Sequence, residues 1–260
     1  MRLFVICHDD KSYKKAQDLC LLWENRIFRE NPAFVFNAEP IFLKPSPYME
    51  SSVYPLLDTQ DYKDKWKNED YVGIVTYSIL DKLGTFKKQK VDIDWVNIIT
   101  QAKEKEVDAI GILCLDFKKG EERAPLTLIE GAMFHHGLNF YRAWRDLLLK
   151  MDYTMEQIDD NPNRSGFFCN WWVSRPAILT EYVGFIKKAM KTIEESPELT
   201  AAFYRNAHYG KGNTTEEQKR ALFGENYYTM HPFIFERILS LYLFYKPYKV
   251  GSINRMVMRL

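Results

Sequence analysis

Polar side chains gather where apolar segments of the sequence end. An acid, a histidine or an amide in such a position can polarise a substrate or move a proton. In chain order, these groups are Cys7, His8, Asp9 and Asp10; Thr76, Tyr77, Ser78 and Asp81; Asp116 and Lys118; and Asn170, Trp171, Trp172 and Arg175. If the apolar segments are strands of one sheet, the groups meet in a single site.

Several of these side chains also have a purely structural interpretation. His8 and Asp9 are equally able to cap a following helix, and Asp81 can open a turn. Trp171 and Trp172 are adjacent, so in a strand they face opposite sides, one filling the core and the other lining a cleft. The sequence alone leaves both interpretations open.

Well-known catalytic signatures are absent. The sequence has no GxGxxG, no GxxxxGK[ST], no GxSxG and no CxxC, which disfavours dinucleotide, P-loop, hydrolase and zinc sites. Asp92-Ile93-Asp94 has the form of a DxD metal motif. It precedes the helical pattern of Trp95–Glu106 and does not close an apolar strand, so we favour helix capping there.

The periodicity of the apolar residues predicts the elements that position these groups. Arg2–Cys7 is a buried strand, Ser12–Arg29 is a helix with Ser12 as N-cap, and Phe34–Phe36 and Pro40–Leu43 are strand pieces, which together form a βαβ unit. Further strands are expected at Tyr71–Leu80, Val107–Phe117 and Gly166–Ser174, and helices at Tyr54–Lys67, Asp92–Glu106, Thr127–Met151, Pro176–Glu195 and His231–Tyr245. The polar segment Ser196–Gly224 is predicted to be a lid or an irregular helix.

This alternation predicts an α/β fold, with a mostly parallel central sheet and helices on both faces. Ligands of such sheets bind beyond the carboxyl ends of the strands. No repeat or composition break divides the chain, so residues 1–260 are expected to form one domain.

Composition restricts the partners. The 260 residues carry 36 basic and 35 acidic side chains, a net charge of +1, without the basic excess of nucleic-acid binders. The aromatic share of 15% suits stacking on bases and sugar rings. No targeting or membrane-spanning segment is visible, so we expect a cytoplasmic protein, in the host cytoplasm if the chain is viral.

The order of the motifs resembles glycosyltransferases of the GT-A fold. It is most similar to bacterial capsule and lipopolysaccharide transferases with a His-Tyr-Arg-Arg signature strand, and to related enzymes of large algal viruses. The matching segments are RLFVICHDD, EPIFL, YVGIVTYSIL, GFFCNWWVSRPAIL and HPFIFERILSLYLF. The signature itself reads Thr76-Tyr77-Ser78-Ile79, so only Tyr77 carries over and both arginines are absent.

This resemblance implies a hexosyl- or pentosyltransferase of glycan or polysaccharide biosynthesis. A UDP-sugar is the expected donor, a glycan hydroxyl the acceptor, and inversion the expected outcome, with Asp81 or Glu236 as the base. The nucleotide-sugar contacts expected are Cys7, His8, Asp9, Thr76, Tyr77 and Ser78, and the acceptor contacts are Asn170, Trp171, Trp172 and His231. His231 and Arg237 would add positive charge near the diphosphate.

A divalent metal ion, Mn²⁺ or Mg²⁺, is possible in such a site. No clean DxD follows a strand, and Asp81 or Asp116 would be the ligand, although Asp116 also suits a turn. Two other functions remain open at this level. A nucleotidyltransferase on a similar sheet would release pyrophosphate, and a non-catalytic carbohydrate-binding protein would bind glycans but no nucleotide.

Overall fold

The computed structural model describes residues 1–87, 91–116, 126–159, 165–209 and 214–253. Its strands are β1 (Arg2–Cys7), β2 (Asn37–Phe42), β3 (Val72–Thr76), β4 (Ala109–Gly111), β5 (Cys114–Asp116), β6 (Ser165–Phe167), β7 (Trp172–Ser174) and β8 (Val250–Ser252). A central sheet has the order β2-β1-β3-β7-β4-β8, and β5 pairs with β6 in a second, two-stranded sheet.

Helices cover both faces of the central sheet, as the sequence predicts. They are α1 (Asp10–Glu30), α2 (Val53–Leu57), α3 (Gln60–Trp66), α4 (Ile79–Lys87), α5 (Trp95–Glu104), α6 (Leu128–Lys150), α7 (Met155–Asp159), α8 (Pro176–Glu194), α9 (Pro197–Phe203), α10 (Glu216–Phe223) and α11 (His231–Phe244), and a short 3-10 helix spans Met49–Ser52. The apolar sides of α1, α4 and α5 form one core, and those of α2, α6, α8 and α11 form the other. The α/β class is therefore confirmed.

The strands of the sheet are apolar on both sides because both sides are covered. Within β1, Phe4 and Ile6 enter the core of α6 and α8, whereas Leu3 and Val5 enter the core of α1 and α5. This two-sided burial explains why β1 is a continuous apolar run and not an alternating one.

One central strand runs against its neighbours. β7 pairs antiparallel with both β3 and β4, whereas β1 is parallel to β2 and β3. Asn170 and Trp171, which precede β7, therefore lie at the edge where β1 and β3 end. Arg175 follows β7 and lies at the opposite edge, where it pairs with Asp108 at 3.1 Å, so its predicted place beside the other strand-end groups is wrong.

Two predicted strands are divided between the two sheets. Val107–Phe117 breaks into β4 and β5, and Gly166–Ser174 breaks into β6 and β7. The second break occurs at Cys169 and Asn170, which have φ angles of 60° and 53°. Residues other than glycine seldom adopt this left-handed region. Two adjacent residues in it turn the chain sharply.

Other predicted boundaries differ as well. The strand predicted at Tyr71–Leu80 ends at Thr76, and Ile79 already begins α4. The helix predicted at Tyr54–Lys67 is divided into α2 and α3, and Ser196–Gly224 contains α9 and α10, with residues 210–213 outside the described part. Among the described helices, none combines the length and apolar character that crossing a bilayer requires.

Gly73 lets β3 pack closely against its neighbours. A Cβ atom at this position would lie 2.6 Å from Leu3 Cδ1 and 3.1 Å from Val173 Cγ2. We expect Gly73→Ala to lower the free energy of unfolding by about 1–3 kcal/mol through overpacking, measured by chemical denaturation. Gly184→Ala is the matched control, since nothing lies within 4 Å of its added methyl. Equal effects of both changes would contradict the packing argument.

Candidate active site

Hydrogen bonds join the end of β3 to the turn before β7. The indole N–H of Trp171 donates to Thr76 Oγ1 at 3.1 Å, and Thr76 Oγ1 lies 3.1 Å from Ser78 Oγ. The predicted donor-side residues Thr76 and Ser78 therefore belong to one edge of the sheet. Cys7 ends β1 at the same edge, but its thiol is buried and donates to the carbonyl of Ile41 at 3.2 Å.

The segment after β1 begins a helix. Ser12 N–H donates to Asp9 Oδ1 at 2.6 Å, and the backbone N–H groups of His8 and Asp9 each lie 2.9 Å from Ser12 Oγ. Hydrogen bonds from the Ser12 backbone and hydroxyl lower the pKa of Asp9. The capping interpretation is confirmed with Asp9, not Ser12, as the N-cap, while His8 keeps a partly exposed imidazole at this edge.

The adjacent tryptophans are both buried. Trp171 packs into one core and Trp172 into the other, so the expectation that they face opposite sides is confirmed. The indole N–H of Trp172 donates to Tyr54 Oη at 3.1 Å. Neither ring has an exposed face, which leaves no surface for the predicted stacking of an acceptor sugar.

His231 is also part of the interior. It is surrounded by the rings of Tyr48, Phe203 and Tyr204, and its Nδ1 lies 3.0 Å from Thr229 Oγ1. Burial lowers its pKa to about 3. A neutral, enclosed imidazole cannot supply the positive charge predicted for it, nor reach an acceptor.

Lys82 supplies a cation at the edge where β1 and β3 end. Its ammonium lies 3.6 Å from Cys169 Sγ and 5.3 Å from the centre of the Trp171 ring. Burial acts to lower the pKa of Lys82, but the neighbouring Cys169, Glu50 and Glu236 outweigh it and raise the pKa overall. Lys82 therefore stays charged in a mostly enclosed position.

Glu236 is an acid that contacts the same residue as Lys82, since both bind Cys169. Its Oε1 accepts the backbone N–H of Cys169 at 2.6 Å, and its Oε2 accepts from Arg237 Nη1 at 3.3 Å. Burial raises the pKa of Glu236, opposed by Arg237 and by the Cys169 N–H. Both carboxylate oxygens are therefore held by hydrogen bonds, and 19% of the Glu236 side chain remains exposed.

The turn at Cys169 and Asn170 holds this arrangement together. Asn170 Nδ2 donates to Ser51 Oγ at 3.1 Å, next to Glu50 in the 3-10 helix. Burial raises the pKa of the Cys169 thiol to about 12, so Cys169 is a neutral spacer and not a nucleophile. Strained backbone persists where its surroundings over-determine it, often at functional sites.

The two aspartates predicted as alternative metal ligands lie in different elements. Asp81 is exposed in the first turn of α4, and Asp116 ends β5 in the other sheet, its side chain outside the described part. Within the described residues no three His, Cys, Asp or Glu side chains converge on a metal site. The DxD-like Asp92–Asp94 caps a helix as predicted, since Asp94 accepts the N–H of Asn97.

Sequence reasoning missed Lys82 and Glu50. Ile79 and Leu83 have the four-residue spacing of a helix face, and that signal would have placed Lys82 in a first turn just beyond β3. Glu50 lies in a segment with two prolines and little periodicity, where no sequence signal points to it.

Comparisons with known proteins address the fold. No protein-family model matches the sequence, and no curated protein matches it. The apo structure of the bifunctional glycosyltransferase WbbM aligns with a TM-score of 0.50 at 15% identity, over 97% of this chain and 44% of that one. Core-mannan synthase A from Aspergillus fumigatus, in its Mn/GDP form, aligns over 96% and 72% at 10% identity, but its TM-score of 0.27 is too low to indicate a shared fold. The chain thus shares a GT-A-like α/β fold with part of WbbM, and it spans less than half of the WbbM chain.

The buried imidazole of His231 makes stability depend on pH. Its pKa is about 3 in the folded chain against roughly 6.5 when unfolded. As the pH falls, the unfolded state therefore binds a proton before the folded state does. The free energy of unfolding then decreases between about pH 6.5 and pH 3, by up to ~1.4 kcal/mol per pH unit. We expect His231→Gln to remove roughly this slope in denaturation curves between pH ~6 and ~4.

The control for this experiment is His208→Gln, since His208 is exposed. It should leave the slope as in the unchanged protein. An unaltered slope in His231→Gln would show that the imidazole titrates normally and that its surroundings are open to water.

Proposed function

We propose that the chain is a glycosyltransferase that moves a sugar from a nucleotide-sugar, in the first place a UDP-sugar, to a glycan hydroxyl with inversion. The observation that carries this proposal is that Lys82 and Glu236 both contact Cys169 beyond the carboxyl ends of β1 and β3. Lys82 Nζ lies 3.6 Å from the Cys169 sulfur, and Glu236 Oε1 lies 2.6 Å from the Cys169 backbone nitrogen. The GT-A-type fold supports it, because ligands of such sheets bind at that edge.

Lys82 would bind the donor diphosphate. The departing nucleoside diphosphate gathers negative charge as the sugar leaves, and a fixed cation in a poorly hydrated site stabilises that charge more than one in water. Tyr77 and Ser78 lie just before α4, on the β1 and β3 side of Lys82, where the nucleotide would bind alongside His8. Lys82 thus provides the charge that the two arginines of the resembling signature would have supplied.

Glu236 would act as the base. One carboxylate oxygen accepts the proton of the acceptor hydroxyl while the hydroxyl oxygen bonds to the anomeric carbon and the bond to the diphosphate oxygen breaks. The raised pKa of Glu236 makes it a better proton acceptor than an exposed carboxylate. Asp81 remains the alternative base, because it lies one residue before Lys82.

Removing the cation tests the donor side of this proposal. We expect Lys82→Met to raise the Kd of UDP about 10- to 100-fold, the range for a lost charge-assisted hydrogen bond, measured by isothermal titration calorimetry. Lys14→Met on the exposed side of α1 is the matched control and should leave the Kd unchanged. Equal UDP affinity in both variants would show that Lys82 does not bind the nucleotide.

Removing the base tests the chemistry. We expect Glu236→Gln to lower kcat by roughly 10²- to 10⁴-fold with UDP binding retained, in an assay of nucleotide release and glycan formation. In the unchanged enzyme kcat should rise with pH as Glu236 loses its proton, and this rise begins above the ordinary glutamate range because burial raises its pKa.

Asp81→Asn is made in parallel to separate the two candidate bases. A large loss of kcat in Asp81→Asn, with a near-normal kcat in Glu236→Gln, would show that Asp81 and not Glu236 is the base. Near-normal rates in both variants would show that the proposed mechanism is wrong, and release of pyrophosphate would indicate a nucleotidyltransferase.

A further inference from the structure

A group of aromatic side chains packs around Phe233, three residues before Glu236 on α11. We call Tyr209, Phe233, His136 and Tyr228 the aromatic shelf. Ring centres are 4.9 Å apart for Tyr209 and Phe233, 5.4 Å for Tyr209 and Tyr228, and 4.2 Å for His136 and Phe233. Tyr209 is 40% exposed, whereas His136 and Tyr228 are buried, so the shelf presents one open ring on a packed base.

The backbone before Tyr209 is fixed in place. The N–H of buried Ala207 donates to the carbonyl of Tyr228 at 2.8 Å, and the Ala207 carbonyl lies 3.1 Å from His136 Nδ1. Burial and the nearby Arg237 lower the pKa of His136 to about 4, so the imidazole is neutral and its Nδ1–H must be the donor. The backbone two residues before Tyr209 is therefore fixed, and the Tyr209 ring packs on Phe233 and Tyr228. Such preorganisation reduces the entropy lost on binding.

The shelf and the proposed base share one side of α11. Phe233 precedes Glu236 by three residues, the spacing that places two side chains on the same face of a helix. Tyr209 is near enough that Glu236, after burial, contributes to raising the pKa of its phenol, with a weaker opposing effect of Lys82. The open ring packs on Phe233 and therefore lies on the side of α11 that also carries Glu236.

We propose that the aromatic shelf is the acceptor subsite, where the apolar face of a pyranose ring stacks on Tyr209 and one hydroxyl points towards Glu236. This inference rests on the proposed function and names the part of the acceptor that the site recognises. An exposed aromatic ring beside a carboxylate matches a sugar, since C–H groups cover one face of a pyranose and hydroxyls surround its rim. The stacking role expected of Trp171 and Trp172 passes to Tyr209.

The test uses simple sugars as probes. Methyl α- and β-pyranosides of glucose, galactose and mannose are titrated against the UDP-saturated full chain and followed by saturation-transfer NMR. We expect at least one to bind, and Tyr209→Ala to weaken it about 10-fold with the Kd of UDP unchanged. Tyr209→Phe should bind like the unchanged protein, because the ring and not the hydroxyl makes the stack.

The matched control is Tyr13→Ala, since Tyr13 is 36% exposed on α1 and should have no effect on glycoside binding. The inference is overturned if no glycoside binds the unchanged chain, or if Tyr209→Ala binds it equally well. It is also overturned if Tyr209→Ala raises the Kd of UDP and leaves glycoside binding unchanged, since the ring would then contact the nucleobase. A titration with UDP alone tests the proposed function separately. If glycosides bind at Tyr209 but UDP does not bind, the shelf is a sugar-binding site and the proposed transferase activity is wrong.

Discussion

The ammonium group of Lys82 is the constraint on which the rest of the site depends. A charge in a mostly enclosed position is stable only if opposite charges or hydrogen-bond acceptors face it. Glu50 and Glu236 provide those charges from two distant parts of the chain. The left-handed turn at Cys169 and Asn170 is what brings them together, since its backbone binds Glu236 and its amide side chain binds the 3-10 helix.

This arrangement divides the site into two sides. On one side, Tyr77 and Ser78 follow the end of β3 and lead to Lys82. On the other side, the aromatic shelf packs around Phe233 of α11, the helix that carries Glu236. Between them, a diphosphate that approaches Lys82 would compete with Glu236 for the same cation. Donor binding would then leave Glu236 with less opposing charge and a still higher proton affinity, so the base would gain strength when an acceptor can be used.

Elements with strong apolar periodicity can be predicted from the sequence. The prediction fails where one apolar pattern is compatible with several structures. The predictions for Arg2–Cys7 and Pro176–Glu195 agree with the structure within one residue. A continuous apolar run defines the first, and helical spacing of apolar residues with a proline in the first turn defines the second. A run such as Gly166–Ser174 is equally apolar whether it forms one strand or two with a strained turn between, and no local signal gives the antiparallel direction of β7. Ile79 and Leu80 extend the apolar run of β3, which conceals the start of α4 and therefore Lys82.

The central claim is that this edge of the sheet binds a nucleotide, and thermal unfolding with UDP, GDP, CDP, ADP and TDP, each with and without Mn²⁺, tests it most directly. A ligand at 100 times its Kd stabilises by ~2.7 kcal/mol, which raises the Tm of a chain of this size by roughly 5–10 °C. We expect such a shift for one nucleotide, UDP, and the loss of that shift in Lys82→Met. If none of the five nucleotides raises the Tm, this edge of the sheet is not a nucleotide site.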